Sequence, residues 1–266
     1  GKYEVSCPNG KCSAGGSSNN TTTDDTTTTE PEPSTPTIAD PVSFATDSWE
    51  VIINAVQNNN TSSYSVGDEK TIDMGTFGTQ TVRIANMSTP TECSTTGFSQ
   101  TGCGFVVEFK TLITTYNMNS SATNVGGWPA TTMRTFVNSD IYNALPSDLK
   151  AGIINTTVVS SHGSTSGEGN FTSTDKLYLL DRQEVLGDNS SNNTAYSSTR
   201  QIDYYVGKSY RGRLKYLNDG STEKEWWLRS AYSSGDIFFN TMDDEGDTRN
   251  RSALYAGGVS PAFRIG

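Results

Sequence analysis

From Trp226 onward the chain commits itself to strands, and this restricts its fold more than any other feature. WWLRSAY, DIFFNTM and GVSPAFRI are strand-like blocks joined by polar turns, with almost no helical periodicity. The residues before them read differently. Asp47-Ser48-Trp49-Glu50 is a helix start in which Asp47 caps and Glu50 reaches back, and Trp49, Ile52, Ile53 and Val56 fall on one face. Lys70–Met74 and Gln80–Ala85, separated by the Gly75–Gly78 turn, predict a hairpin, and Gly104–Leu112 predicts a third strand. Met133, Phe136, Val137, Ile141 and Leu145 recur at helical spacing from about Ala130 to Ala144, where Pro146 stops the helix. Ser147–Ile154 reads as a further short helix, and Thr157–Val159 and Lys176–Leu180 as short strands. A helical front half followed by a run of strands is an α+β architecture, with helices beside a mostly antiparallel sheet.

Three segments are legible. Residues 1–12 are a short N-terminal segment in which Cys7 and Cys12 enclose a Pro8-Asn9-Gly10 turn, too short to fold alone. Residues 13–40 are a Thr/Ser/Pro-rich linker with too few apolar groups to offset the entropy lost on ordering, and the alternating prolines of Glu30–Pro36 favour an extended spacer. Residues 41–266 carry the globular pattern. The remaining cysteines, Cys93 and Cys103, again flank a short polar loop, so two local disulfides are the simplest reading. A zinc site is the competing reading, though neither spacing fits the usual ligand repeats. Oxidised pairs and a surface full of Thr, Ser and Asn agree with an extracellular or cell-surface setting. Sequons such as those at Asn60, Asn119, Asn170 and Asn250 arise by chance in so Asn- and Thr-rich a chain.

Charge and motifs remove several function classes. With 19 Lys and Arg against 29 Asp and Glu the net charge is −10, the wrong balance for gripping a phosphate backbone, so no nucleic-acid partner is expected. No apolar run approaches the ~20 residues needed to span a bilayer. The one histidine, His162, lies among Gly and Ser without a nucleophile elbow and reads as a loop residue. There is no phosphate-cradling Gly-rich loop, and Asp243-Asp244-Glu245-Gly246-Asp247 departs from the calcium-loop pattern and reads as an acidic hairpin turn. No cofactor, metal or catalytic residue is expected.

With WWLRSA followed by GGVSPAFRI, supported by SWEVIINAVQ, VGDEKTIDMGTFGTQTVRIAN, GGWPATTMRTFVNSDIYNALPSDL and TDKLYLL, residues 41–266 resemble a family of bacterial C-type-lectin-like domains. The subtype is the one found in formylglycine-generating enzymes. The resemblance implies a small antiparallel sheet flanked by two helices, with the terminal strand returning beside the first. Some relatives are variable proteins of diversity-generating retroelements, receptors whose C-terminal contact residues are hypervariable. Adenine-directed mutagenesis of AAY codons yields many residue types but never Lys, Gln, Glu, Trp or Met. Tyr232–Tyr255 contains no Lys, Gln or Trp and departs from that rule only at Met242 and Glu245.

The expected contact residues are therefore Tyr232, Ser234, Asp236, Phe239, Asn240, Thr241, Asp243, Asp244, Asp247, Thr248, Arg249, Asn250, Arg251, Ser252, Leu254 and Tyr255. They mix aromatic area with adaptable polar groups, as antibody-like surfaces do. Strand alternation also puts at least one of Phe238 and Phe239 in the core. Trp226, Trp227, Leu228, Val259 and Phe263 read as scaffold, and Arg229 and Arg264 as buried or half-buried hydrogen-bonding groups. The sugar-binding tripeptides of calcium-dependent lectins are missing from 41–266, and no cysteine follows Cys103, which under the resemblance excludes formylglycine generation.

The leading expectation is a non-enzymatic, secreted or surface-tethered adhesin or receptor whose ligand is a surface protein or glycan of another cell or host. The runner-up is a pilin-like subunit of a surface filament, self-assembling through the N-terminal segment. A wall-sugar hydrolase would need carboxylates converging in a cleft.

Overall fold

The computed structural model describes residues 37–164, 169–188 and 198–266, and Ile38–Gly266 forms one unit. The Cys7–Cys12 pair and nearly all of the linker lie outside the described residues.

The first element, α1 (Trp49–Gln57), begins one residue later than the cap motif implied: Ser48, in extended conformation, accepts from the Val51 N–H. Asp47 instead ties down the preceding turn, accepting from the Val42 and Ser43 amides and the Tyr64 hydroxyl. Trp49 then packs edge-on against Phe44, which meets Tyr64 and Phe105 in one aromatic cluster.

Strands β1 (Glu69–Asp73) and β2 (Thr79–Asn86) form the expected hairpin, with Ile72 opposite Gln80. Strand β3 (Phe105–Phe109) follows from the Cys93–Cys103 disulfide, whose Cα atoms are 5.8 Å apart. All five β3 side chains are buried. After the short strand β4 (Thr115–Asn117), the second predicted helix is realised as α2 (Thr132–Phe136), a π turn over Val137–Ile141, and α3 (Tyr142–Ala144). Leu145 is extended, as a residue before proline tends to be. Helix α4 (Ser147–Lys150) is shorter than predicted and packs on α1, so that Gly152 lies under Ile53.

The remaining elements are β5 (Thr156–Ser160), β6 (Phe171–Asp175), β7 (Tyr178–Leu179), α5 (Arg182–Leu186), β8 (Trp226–Ala231), β9 (Phe238–Met242), β10 (Thr248–Ser252), β11 (Ala256–Gly258) and β12 (Pro261–Ile265). One sheet has the order β1-β2-β3-β12-β7, a second β10-β9-β8-β11-β4, and β5 pairs with β6 alone. The pairings are antiparallel except for β11 on β8.

The protein is thus α+β, built from small, largely antiparallel sheets with few and short helices. Two expectations are corrected. The front half is not mainly helical, because the β1–β2–β3 meander fills it and α1 is the longest helix described. The terminal strand does not return beside the first: β12 inserts between β3 and β7, where Ala262 and Phe263 are wholly buried. No helix of the described residues is long and apolar enough to cross a membrane.

Candidate functional site

The second sheet is organised on β8. All six of its side chains are buried, so Trp226, Trp227 and Leu228 are scaffold, as expected. Arg229 anchors β8 to the rest of the molecule. Its guanidinium is fully buried and donates to both Glu184 oxygens at 2.7 and 2.9 Å, to the Leu179 carbonyl at 2.9 Å and to the Val159 carbonyl at 3.1 Å. Glu184 comes from α5, where it also closes a capping box with Asp181. Arg264 is half-buried and donates to the Cys103 carbonyl, which ties β12 to the disulfide.

A second buried charge cluster ties the segments carrying Tyr205 and Lys215 to the first sheet. Glu108 of β3 accepts from Arg83 at 2.7 Å, from Lys215 at 2.7 Å and from the Tyr205 hydroxyl at 3.0 Å. Burial alone would raise the Glu108 carboxyl, but Arg83 and Lys215 outweigh it and hold it below the ordinary range. Burial pushes Lys215 down to about 8 against the opposing pull of Glu108.

The β9–β10 hairpin extends this frame to the sheet's outer edge. Its acidic turn is built by Asp243, whose carboxylate accepts from the Glu245 and Asp247 amides, both at 2.9 Å, and from Arg249 Nε at 2.7 Å. Burial acts to raise the Asp243 carboxyl; the amides and Arg249 prevail and lower it. Gly246 closes the turn at φ 75°, and a Cβ there would fall 2.3 Å from the Tyr210 carbonyl, so both the backbone and the close approach require glycine. At the opposite end, Asn124 donates to the carbonyls of Tyr232, Gly235 and Phe238 at 2.8–2.9 Å and clamps the β8–β9 turn.

This geometry divides the expected contact residues into three groups. Phe239, Asn240, Thr241 and Asp243 are buried, which corrects their assignment to the ligand surface. The reason is the position of β9 between β8 and β10: Phe239 enters the core, Thr241 donates to Glu225, and Asn240 bonds Asn250 across the strands. Tyr232, Thr248, Arg251, Ser252 and Tyr255 are half-buried. Of these, Arg251 is held by Glu225 at 2.9 Å and lies over the Tyr255 ring, which meets Trp227 edge-on, while Thr248 bonds Arg182. Ser234, Asp236, Asp244, Asp247, Arg249, Asn250 and Leu254 are exposed, Leu254 with 47% of its surface.

The exposed set follows the sheet's edge. Asp244 and Asp247 flank the β9–β10 turn, Arg249 and Asn250 lie on the edge strand, and Ser234, Asp236 and Leu254 gather at the β8–β9 end, where the Ala253 amide donates to the Ile237 carbonyl. Sequence reasoning missed the supports Asn124, Glu225 and Glu184, because polar residues distant in the chain betray a buried role only once folded. His162 lies in the loop after β5, and among the described residues no three His, Cys, Asp or Glu side chains converge as a cation site.

These features define a mixed α+β domain whose fully buried WWLRSA strand carries an exposed edge hairpin. The chain belongs to the DUF6273 family, a domain of unknown function, which it matches over residues 106–266, from β3 through β12. No curated protein and no solved structure matches it.

Proposed function

We propose that this domain is a binding head, not an enzyme, of the C-type-lectin-like type, carried outside the cell on the Thr/Pro-rich linker. It reads a protein or glycan of another surface with the exposed edge of the β9–β10 hairpin. One observation carries this reading: within a single hairpin β9 is buried from Phe239 to Met242 and holds the frame, while the turn and β10 expose Asp244, Asp247, Arg249 and Asn250 to solvent. Side chains can change at Ser234, Asp236, Asp244, Asp247 and Leu254 without touching the buried Phe239, Thr241 and Asp243 that fix the backbone. That separation is what a diversified receptor needs, because each variant must fold before it can be selected for binding.

The Cys93–Cys103 disulfide agrees with an oxidising, extracellular compartment. The test is sequencing of the region encoding Trp226–Gly266 across the source population, together with a search of nearby DNA for a template copy and a reverse transcriptase. Substitutions confined to the exposed positions, with WWLRS and GVSPAFRI intact, are expected. Uniform sequence with no template nearby would sink diversification and leave a fixed adhesin.

A further inference from the structure

The loop closed by the Cys93–Cys103 disulfide is held in two unequal halves. From Ser99 to Cys103 every residue bonds to another part of the domain. The Ser99 hydroxyl accepts from the Val159 amide at 3.0 Å, and the Gln100 side chain from the Thr157 amide at 3.1 Å. The Thr101 carbonyl accepts from the Tyr178 hydroxyl at 2.8 Å, that of Gly102 from Arg200 at 3.0 Å, and that of Cys103 from Arg264 at 2.7 Å. The half from Thr91 to Phe98 has no such anchor. Among the described residues its hydrogen bonds stay within its own turns: the Cys93 amide donates to Pro90, that of Thr95 to Glu92, and that of Phe98 to Thr95. Thr91, Glu92 and residues 94–97 are exposed.

The two sulfurs differ in the same way. Cys103 is fully buried, with its sulfur 3.8 Å from the Ser99 carbonyl. Cys93 is half-buried and lines a cavity of about 480 Å³ between the outer half of the loop and the β5–β6 pair, with Phe98, Gln100, Thr157, Val159 and Thr172. Among the described residues neither Cys103 nor any charged side chain lines it. Exchange of a disulfide depends on which sulfur a thiolate can reach, and accessible bonds are the labile ones. Here only Cys93 borders open space.

We infer that Cys93 is a site of thiol exchange, and that the disulfide is a latch which a small thiol opens from this cavity without unfolding the domain. The incoming thiolate bonds to Cys93 Sγ, the Sγ–Sγ bond breaks, and its electron pair leaves on Cys103 Sγ, which takes up a proton. A second thiolate then displaces Cys93 as a free thiol and joins the first small thiol in a disulfide, so two small thiols are oxidised and the protein bond is reduced. With the latch open, Thr91–Phe98 keeps only its own turn bonds and swings off the cavity, while Ser99–Cys103 stays bonded to β5, β7 and β12. The latch is independent of the hairpin reading, and either can fail without the other.

The test treats the folded full chain with β-mercaptoethanol, quenches in acid, alkylates and maps the adducts by peptide mass spectrometry, with the peptides holding Cys7 and Cys12 counted separately. The mixed disulfide is expected on Cys93, with Cys103 recovered as the alkylated thiol. Its rate should stay flat in urea below the unfolding transition, since direct attack needs no global opening. Thr172→Trp, at an exposed β6 position on the cavity wall, should slow the reaction about fivefold or more, whereas Asp236→Ala at the β8–β9 turn should leave it unchanged. In hydrogen exchange after reduction with dithiothreitol, the Thr95 and Phe98 amides should lose protection, while the Thr157 and Val159 amides keep theirs.

The inference is overturned if the folded chain forms no adduct on Cys93, if Cys103 carries the adduct as often, or if exchange follows the urea slope of global unfolding. An undiminished rate in a folded Thr172→Trp would overturn the cavity route. Loss of protection at Thr157 and Val159 together with the loop would also overturn it, because the disulfide would then be holding the core and not a latch.

Discussion

Arg229→Met is the most direct test of how the WWLRS strand is held. The substitution keeps the side chain's apolar stem but removes a guanidinium that donates to both oxygens of the buried Glu184 and to the carbonyls of Leu179 and Val159. Glu184 would retain the Asp181 amide and the Thr101 and Thr199 hydroxyls, yet its charge would be buried without a counter-ion. Breaking a buried pair from one side costs about 3–5 kcal/mol. For a folded unit of this size each kcal/mol is worth about 2–4 °C, so the melting temperature should fall by roughly 6–20 °C. Arg229→Lys should lie between, since a single ammonium cannot span the same acceptors. Removing the stranded charge as well, in Arg229→Met with Glu184→Met, should recover much of the loss. Differential scanning calorimetry of the four proteins reads all of this. A single variant that melts within about 2 °C of the parent, or a double variant no better than the single, would refute the anchoring role.

Replacing Cys93 and Cys103 by serine releases a loop closed over a separation of 10 residues and should cost about 2–3 kcal/mol, read as a lower urea midpoint. Within the hairpin, Phe239→Ala should cost about 3–5 kcal/mol because the ring is fully buried, while Asp236→Ala should stay within about 1 kcal/mol of the parent. Stability against pH should show three regimes in denaturant titrations. Glu108, Asp203 and Asp243 have lowered carboxyl pKa values, so the unfolded chain takes up protons first on acidification, and stability present above about pH 4 is lost as the pH falls below it. Lys215, lowered to about 8 by burial, makes the unfolded chain the better proton binder from there up to about pH 10, so its contribution grows with pH over that window. Burial raises Tyr178 and Tyr205 above their ordinary value, so above about pH 10 the trend reverses. In Lys215→Met the rise between pH 8 and 10 should shrink, leaving the smaller part that Lys70, also lowered by burial, contributes.

Legibility of the sequence tracked the range of the interactions involved. The β1–β2 hairpin and the Met133–Ile141 face were readable because alternation and helical spacing are local signals, and Pro146 stops a helix wherever it occurs. β10 was not readable: TRNRS has no apolar alternation, and it is a strand because β9 offers it a paired edge. Nor could sequence show that Asn240, Thr241 and Asp243 turn inward. Polar residues in an edge hairpin look alike until their partners, Asn250, Glu225 and Arg249, are brought alongside. The placement of β12 between β3 and β7 likewise depends on distant pairings, the one with β3 reaching across more than half the chain.

That placement governs when the domain can fold. β12 is the last described strand to be synthesised, and it fills the gap between β3 and β7 with the wholly buried Ala262 and Phe263. Until it arrives, β3 and β7 have no connection within the sheet, and the Glu108 cluster lacks the Ser260 hydroxyl that Lys215 bonds. An intermediate short of Pro261 therefore has no closed sheet to retreat into, and the cost of joining segments so far apart in sequence falls due only once β12 has been made.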